Sequence, residues 1–359
     1  MLSYLEGDFI AECKINENII SSLGSFLAKF NLLTRSWKNS EIKARDWEWK
    51  IESVELIRNR ANYISDPFLR NRVIYFIQQY EENIVPLYDD LRKSIIHNDA
   101  NHWNVIVEKD KINGLIDFGD ISYSNLVNEV AIAMTYIAYN KEDVLYWTGI
   151  LLESYNKVLP LKMKEVESLY YIIALRLCMS LSNSAFTKLN QPNNNYVSEG
   201  NENAWNLLDK WFLLGPIKVT NYYLKMTGFY IKKQMKEKKY IEKRQKYLSK
   251  ILSLSYKSPI VMGQSAFQYM YDIYGNTFLD AYNNIPHVGH SHPIILEAAK
   301  KQMSKLNTNT RYLYSKINDY AEHLLSYFPS QLNKIFFVNS GSEASDLAIR
   351  MAKAHNANN

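Results

Sequence analysis

Residues 94–122 read "SIIHNDANHWNVIVEKDKINGLIDFGDIS", from Ser94 to Ser122. The short apolar runs "NVIV", starting at Asn104, and "GLID", ending at Asp117, flank the polar "EKDKIN" and predict a β-hairpin. Such a hairpin brings the start of one strand opposite the end of the other, so Asn104 and Asp117 fall together, with Asp99 just upstream. Phosphoryl transfer needs a carboxylate to take the proton of an attacking hydroxyl, and oxygen ligands for the Mg²⁺ that bridges nucleotide phosphates. Asp99 suits the first role as a catalytic base, and Asn104 and Asp117 suit the second as metal ligands. The competing reading is a polar hairpin whose Asp and Asn residues merely cap turns.

Helical periodicity surrounds this stretch. Ile19, Leu23, Phe26, Leu27 and Phe30 share one helical face, as do Leu69, Val73, Phe76 and Tyr80, then Val130, Met134 and Ile137, then Val166, Tyr170, Ile173 and Leu177. A polar loop is expected over 191–206. A second regime opens near Lys257, with strand-like "FQYMYDIYGNTFLDAY" turning at Gly275 and Asn276. Helices are expected from about Pro293 to Leu306 and from about Ile317 to Tyr327. An apolar strand "KIFFV" (334–338), a turn "NSGSE" and a last helix follow. No internal repeat is visible.

At 359 residues, with 47% hydrophobic and 22% charged content, the chain is long enough for about two globular domains. No apolar run in the sequence approaches the ~18 residues a membrane helix needs. The opening "MLSYLEGDFIAE" carries Glu6 and Asp8 where a secretory signal carries basic residues, so a cytoplasmic protein without membrane association is expected. Two cysteines, Cys13 and Cys178, exclude a disulfide framework or a cysteine metal cluster and read as plain thiols. The net charge of +5 is local: Lys232 to Lys250 holds nine Lys or Arg against two Glu. A solvated helical linker accounts for that run better than nucleic-acid binding does.

The spacing His97-x-Asp99-x4-Asn104, followed by Asp117-Phe118-Gly119, matches the catalytic and metal-binding loops of kinases. It resembles the aminoglycoside phosphotransferase and choline kinase-like branch of the protein-kinase fold, with Asn98 where that branch has Gly. The resemblance runs from Met1 to about Leu214 and implies a mostly helical α+β large lobe that uses ATP with Mg²⁺. No G-x-G-x-x-G and no strand lysine like that of "VAIK" occurs. On this resemblance Met1 stands where the small lobe ends, and the phosphate-binding lysine is expected outside the sequence.

"KIFFVNSGSEASDLAIRMAKAHN", from Lys334, turns a strand into a helix through Ser340, Gly341 and Ser342. Free backbone N–H groups and the positive end of a helix dipole suit a phosphate ester there, although any strand-to-helix turn may use Ser and Gly. Together with "YMYDIYGNTFLDAYNNIPHVGHSHPIILEAAKKQ" and "LNTNTRYLYSKI", it is similar to the opening of class III, fold-type I pyridoxal-phosphate aminotransferases, most of all their phospho-lyase branch. The match runs from about Arg244 to Asn359. It implies an N-terminal α/β segment of that fold and a cradle at Ser340, Gly341 and Ser342 for the phosphate of pyridoxal 5'-phosphate. Ser345 stands where the family has Asn. The lysine that anchors the cofactor is expected downstream of Asn359. His287, His290 and His292 have loop spacing and no supporting carboxylate or Cys, so a zinc reading is set aside. Arg311 is a candidate for an anionic substrate group, with a surface ion pair as the plainer reading.

The expected organisation is therefore a kinase-like large lobe (1–214), a basic helical linker (215–256) and the start of an aminotransferase domain (257–359). The expected function is that of a segment of a bifunctional enzyme. One part would phosphorylate a small amino alcohol, and the other would act on the amine or phospho-amine by phosphate elimination or transamination. Its expected partners are small molecules and, by resemblance, a second copy in a homodimer. The alternative is an inactive truncated remnant that binds a partner, and an incomplete sheet would leave an unpaired edge.

Overall fold

A helix needs its first amide hydrogens satisfied, and this chain supplies a capping side chain where apolar periodicity begins. The computed structural model describes residues 4–190, 196–230, 237–249, 251–282, 287–309 and 311–357. In it Asn16 caps α1 (Glu17–Thr34) by accepting from Ile19 N at 3.0 Å. Two short helices follow, α2 (Ser40–Ala44) and α3 (Val54–Ala61). Asp66 accepts from Phe68 N and Leu69 N, and Pro67 takes the first position of α4 (Pro67–Asn83). Next come α5 (Val127–Ile137), α6 (Val144–Val158), α7 (Met163–Asn190) and α8 (Tyr196–Met226). The exposed α9 (Glu237–Tyr247) carries part of the basic run, of which 232–236 and Lys250 lie outside the described residues.

Close packing of α1 on α6 depends on Gly24. A Cβ there would meet Ser154 Oγ at 2.2 Å and Leu151 O at 2.3 Å. α5 is buried almost all round, and α7 runs beside α3, α4, α5 and α8. By length and composition α7 is apolar enough to cross a membrane. In this structure, however, it is a core helix that carries buried Glu165 and Arg176.

Strands β1 (Asp8–Phe9), β2 (Lys93–Ile96), β3 (Val105–Glu108), β4 (Lys111–Leu115) and β5 (Ser122–Asn125) frame the opening stretch. β3 and β4 form the expected antiparallel hairpin, with Val105 opposite Leu115 and Glu108 opposite Lys111. Its two-residue loop, Lys109 and Asp110, has φ of 48° and 62°, the signature of a turn that matches strand twist. β1 pairs with β3, and β2 pairs with β5 so that Ile96 faces Ser122.

By its contacts the chain separates into 1–298 and 299–359. The first unit includes a meander of β6 (Met262–Ala266), β7 (Tyr269–Asp272) and β8 (Thr277–Leu279), turning at Gly275 as expected. Spatial packing therefore runs past the boundary expected at 257, because Phe267 and Tyr271 are buried among aromatic rings of the helical part. Tyr271 donates to Phe212 O at 2.8 Å, and Phe267 lies 5.6 Å from the Tyr75 ring. Each ring so buried stabilises by about 1.5–3 kcal/mol. Gly215, at φ 70°, interrupts α8 just before Pro216, and a Cβ there would sit 2.9 Å from the Tyr271 ring.

α10 (Pro293–Met303), α11 (Ser315–Leu325) and α12 (Gly341–Ala357) complete the chain. The expected strand over 334–338 enters no ladder among the described residues, and Phe336 is 64% exposed. A strand exists only with a partner for its N–H and C=O groups, and none of the eight described strands lies in 299–359. Phe337 stacks instead on Tyr320 of α11 at 5.3 Å.

Candidate active site

The end of β2, the start of β3 and the end of β4 converge on Asp99. Its Oδ2 accepts from Asn101 Nδ2 at 2.8 Å and Asn104 Nδ2 at 2.9 Å. Its Oδ1 accepts from Arg176 Nη2 of α7 at 2.8 Å. Asn104 also donates to Asp99 O, so its amide nitrogen is committed and Oδ1 is the atom left for a cation. Ile116 N donates to Asn104 O at 3.0 Å, which places Asp117 one residue beyond the partner of Asn104 across the hairpin. The two proposed metal ligands are thus brought together at its base.

Asp117 has φ 58° and accepts from Gly119 N at 3.1 Å, holding the turn Phe118–Asp120. Asn98 has φ 69°. That conformation explains the exchange with Gly noted in the sequence, since Asn tolerates the left-handed region better than most side chains do. Both oxygen donors suit a hard cation such as Mg²⁺.

His97 is fully buried and donates from Nε2 to Ile116 O at 2.9 Å, joining the end of β2 to the end of β4. Its role is structural: it fixes the two halves of the motif at their separation. Below it lies Glu129 of α5, also buried. It accepts from His97 N at 2.7 Å, Asn98 N at 3.3 Å and Asn31 Nδ2 at 3.1 Å. Burial raises the Glu129 pKa even though His97 and these donors favour the carboxylate.

The far wall comes from the loop after α2. Trp47 Nε1 donates to Asp120 at 2.7 Å, and Trp49 O accepts from Asn98 Nδ2 at 3.1 Å. Burial raises the Asp120 pKa, an effect the Trp47 bond opposes. Burial also lowers that of His102, against the pull of Asp99. Arg176 is 1% exposed. Burial opposes its charge, but Tyr136 and Asp99 outweigh that and hold its pKa above the usual value.

Glu129, Arg176, Tyr136 and Trp49 were not singled out from sequence. A signal existed for the first two, since each is a lone charge in an apolar helical run, "NEVAIAMTYI" and "IIALRLCMS".

The second candidate site is simpler. Ser340 Oγ accepts from Glu343 N at 3.2 Å, and Glu343 Oε2 reaches back to Asn339 N at 2.7 Å, a variant of the capping box. The N–H groups of Gly341 and Ser342 then lead α12, and a Cβ built at Gly341 would meet nothing within 4 Å. An open helix start of this kind fits a phosphate group. Of the three histidines, His290 Nε2 meets Asp280 at 2.7 Å and His292 Nε2 meets Asn71 Nδ2 at 3.3 Å. No group of three or more His, Cys, Asp or Glu side chains placed to hold a metal ion occurs among the described residues. Arg311 is exposed.

Residues 1–152 match the model of the phosphotransferase enzyme family, and residues 253–359 match that of class-III aminotransferases. A hydroxylysine kinase of Danio rerio is 28% identical over 202 residues, covering 54% of this chain and 57% of its own length. Ethanolamine-phosphate phospho-lyase homolog 1 of Caenorhabditis elegans is 40% identical over 123 residues, covering 34% of this chain and 26% of its own. The chain thus spans less than two thirds of either relative. Among solved structures, an amicoumacin kinase in complex with AMP-PNP and Ca²⁺ matches at 18% identity and a TM-score of 0.41, over 63% of this chain and 65% of its own.

Proposed function

From a chain that joins a phosphotransferase-family segment to a class-III aminotransferase segment, we propose two linked activities. The first segment serves an ATP-dependent kinase that places phosphate on the hydroxyl of a small amino alcohol or hydroxylated amine. The second serves a pyridoxal-phosphate enzyme that acts on the amine or phospho-amine. The observation that carries the kinase reading is the Asp99 carboxylate, oriented by Arg176, Asn101 and Asn104 beside the hairpin that bears Asp117.

In this reading the acceptor oxygen attacks the γ-phosphorus of ATP and the bond to the β-phosphate oxygen breaks, releasing ADP. The hydroxyl proton passes to Asp99. Asn104 Oδ1 and the Asp117 carboxylate would hold a Mg²⁺ ion, which would offset the phosphate charge. Little covalent work falls to the protein, so orientation of the hydroxyl is the main contribution of Asp99.

Gly341 and Ser342 would hold the phosphate of pyridoxal 5'-phosphate through backbone N–H groups, and Ser340 fixes the turn that aims them. When bound, that cofactor supplies the electron sink for chemistry next to the amine. The names of the two relatives support an order for the steps. A hydroxylysine kinase adds phosphate to a hydroxylated amine, and a phospho-lyase removes phosphate from a phosphorylated one. Phosphorylation turns a poor leaving group into a good one.

The test is transfer of γ-³²P from Mg·ATP to a panel of hydroxylysine, ethanolamine and related amino alcohols by the full-length protein. Label is expected in an acid-stable O-phosphate ester and is lost in D99N. An unlabelled panel overturns the kinase reading and favours a protein that acts by binding a partner.

A further inference from the structure

Resting on the kinase reading, the lone pairs of Asp99 determine how the hydroxyl meets it. A carboxylate offers about four acceptor directions, roughly two on each oxygen. Both on Oδ2 are taken, by Asn101 Nδ2 at 2.8 Å and Asn104 Nδ2 at 2.9 Å. On Oδ1 one is taken, by Arg176 Nη2 at 2.8 Å. We propose that Arg176, anchored by Tyr136, is a positioning residue that fixes Asp99 with one open lone pair on Oδ1, so that the acceptor hydroxyl docks on the Arg176 side of the carboxylate.

Three observations support this assignment. First, the Arg176 side chain is only 2% exposed, so it acts through Asp99 and does not itself bind substrate. Second, its guanidinium is held in place: Nη2 is shared with Tyr136 OH at 2.9 Å, and its central carbon lies 5.6 Å from both the Trp49 and Tyr136 rings. Third, Arg176 leaves part of its donor capacity unmet. Its Nη1 has only Met179 Sδ at 3.6 Å, and Nε has no partner. Its guanidinium is therefore held chiefly by Asp99 and Tyr136, the two groups it bonds through Nη2. The arrangement also divides the labour around Asp99. The Oδ2 side faces Asn104, the proposed metal ligand, and the Oδ1 side is left to the nucleophile, which keeps the two from competing for one oxygen.

The test compares R176M and R176K with wild type and D99N in the full-length protein. In R176M, kcat for amino-alcohol phosphorylation is expected to fall about a hundredfold, on the scale of losing one preorganised charged donor. KM for ATP should stay within about twofold of wild type, while Tm should fall because Asp99 loses its charged partner and Tyr136 its donor. R176K keeps the charge without the planar fork and should recover only part of kcat. Without any substrate, the side-chain amide ¹H–¹⁵N resonances of Asn101 and Asn104 should shift in R176M as Asp99 loses its anchor. Unmoved resonances overturn the proposal, as does a kcat loss matched by an equal rise in KM for ATP. The two readings fail separately. Turnover that D99N abolishes but R176M leaves at the wild-type rate removes the positioning role alone. Shifted resonances in a protein with no turnover remove the kinase reading and leave the positioning of Asp99 standing.

Discussion

The groups around Asp99 and those around Ser340 solve different problems with different parts of the chain. Asp99 is met by Asn101 and Asn104 at the base of the hairpin and by Arg176 of α7, its loop is held by Glu129 of α5, and its side chain is 18% exposed. At Ser340 the donors are backbone N–H groups, the surroundings are open, and the Ser340 hydroxyl with the Glu343 carboxylate sets the turn. A site made of side chains needs a core to hold it, whereas a phosphate cradle made of backbone needs only the start of a helix. Damage at the first should therefore spread through the fold, and damage at the second should stay local.

The sharpest way to break that contrast is at Asp99 itself. D99N keeps the shape but removes the proton acceptor and the counter-charge of buried Arg176, and should lower the phosphorylation rate by about 10³-fold and lower Tm as well. A rate within tenfold of wild type in a kinetic assay would remove the chemistry from this end of the contrast. One layer below, E129A takes an acceptor from three N–H groups at once. Unfolding in urea should show a loss of about 1–3 kcal/mol, with reduced activity as the motif loop loosens.

The Glu129 pKa is raised by burial, so its contribution to stability is present below the unfolded-state value and is lost as pH rises through the folded one. The stability gap between wild type and E129Q should accordingly narrow as pH increases. A gap that widens would mean that the three donors prevail over burial. At the other site, S340A removes a helix cap worth about 1 kcal/mol. Hydrogen exchange at the Glu343 amide should speed up about fivefold, with the 1–298 unit unchanged. The smallest effect concerns the thiols. Burial raises the pKa of both cysteines, strongly for the fully buried Cys178. A thiol reagent should modify Cys13 in the native protein and Cys178 only on unfolding.

Much of this was legible from residue order. The hairpin, the convergence of Asn104 and Asp117, the helices near 293 and 315, and the turn at Gly275 all follow from local spacing and turn chemistry. The turn through Ser340 was equally local. What was not legible depends on tertiary packing: Arg176 meets Asp99 across 77 positions, and Glu129 meets Asn31 across 98. Periodicity marks such a charge as out of place without naming its partner. The strand expected at 334–338 failed for the complementary reason, since an apolar run becomes a strand only beside another. Packing of β6–β8 on α4 and α8 was hidden as well, because aromatic residues show that they will be buried but not against what.

The central claim is that the hairpin base holds a cation and the nucleotide phosphates beside Asp99. Mn²⁺ with AMP-PNP, added to the ¹⁵N-labelled full-length protein, tests it through paramagnetic broadening. Selective loss of the Asn104 side-chain amide and of backbone signals around Asp117, reversed by excess Mg²⁺ and absent in D117N, is the predicted result. Broadening elsewhere, or none at saturating nucleotide, would contradict the account.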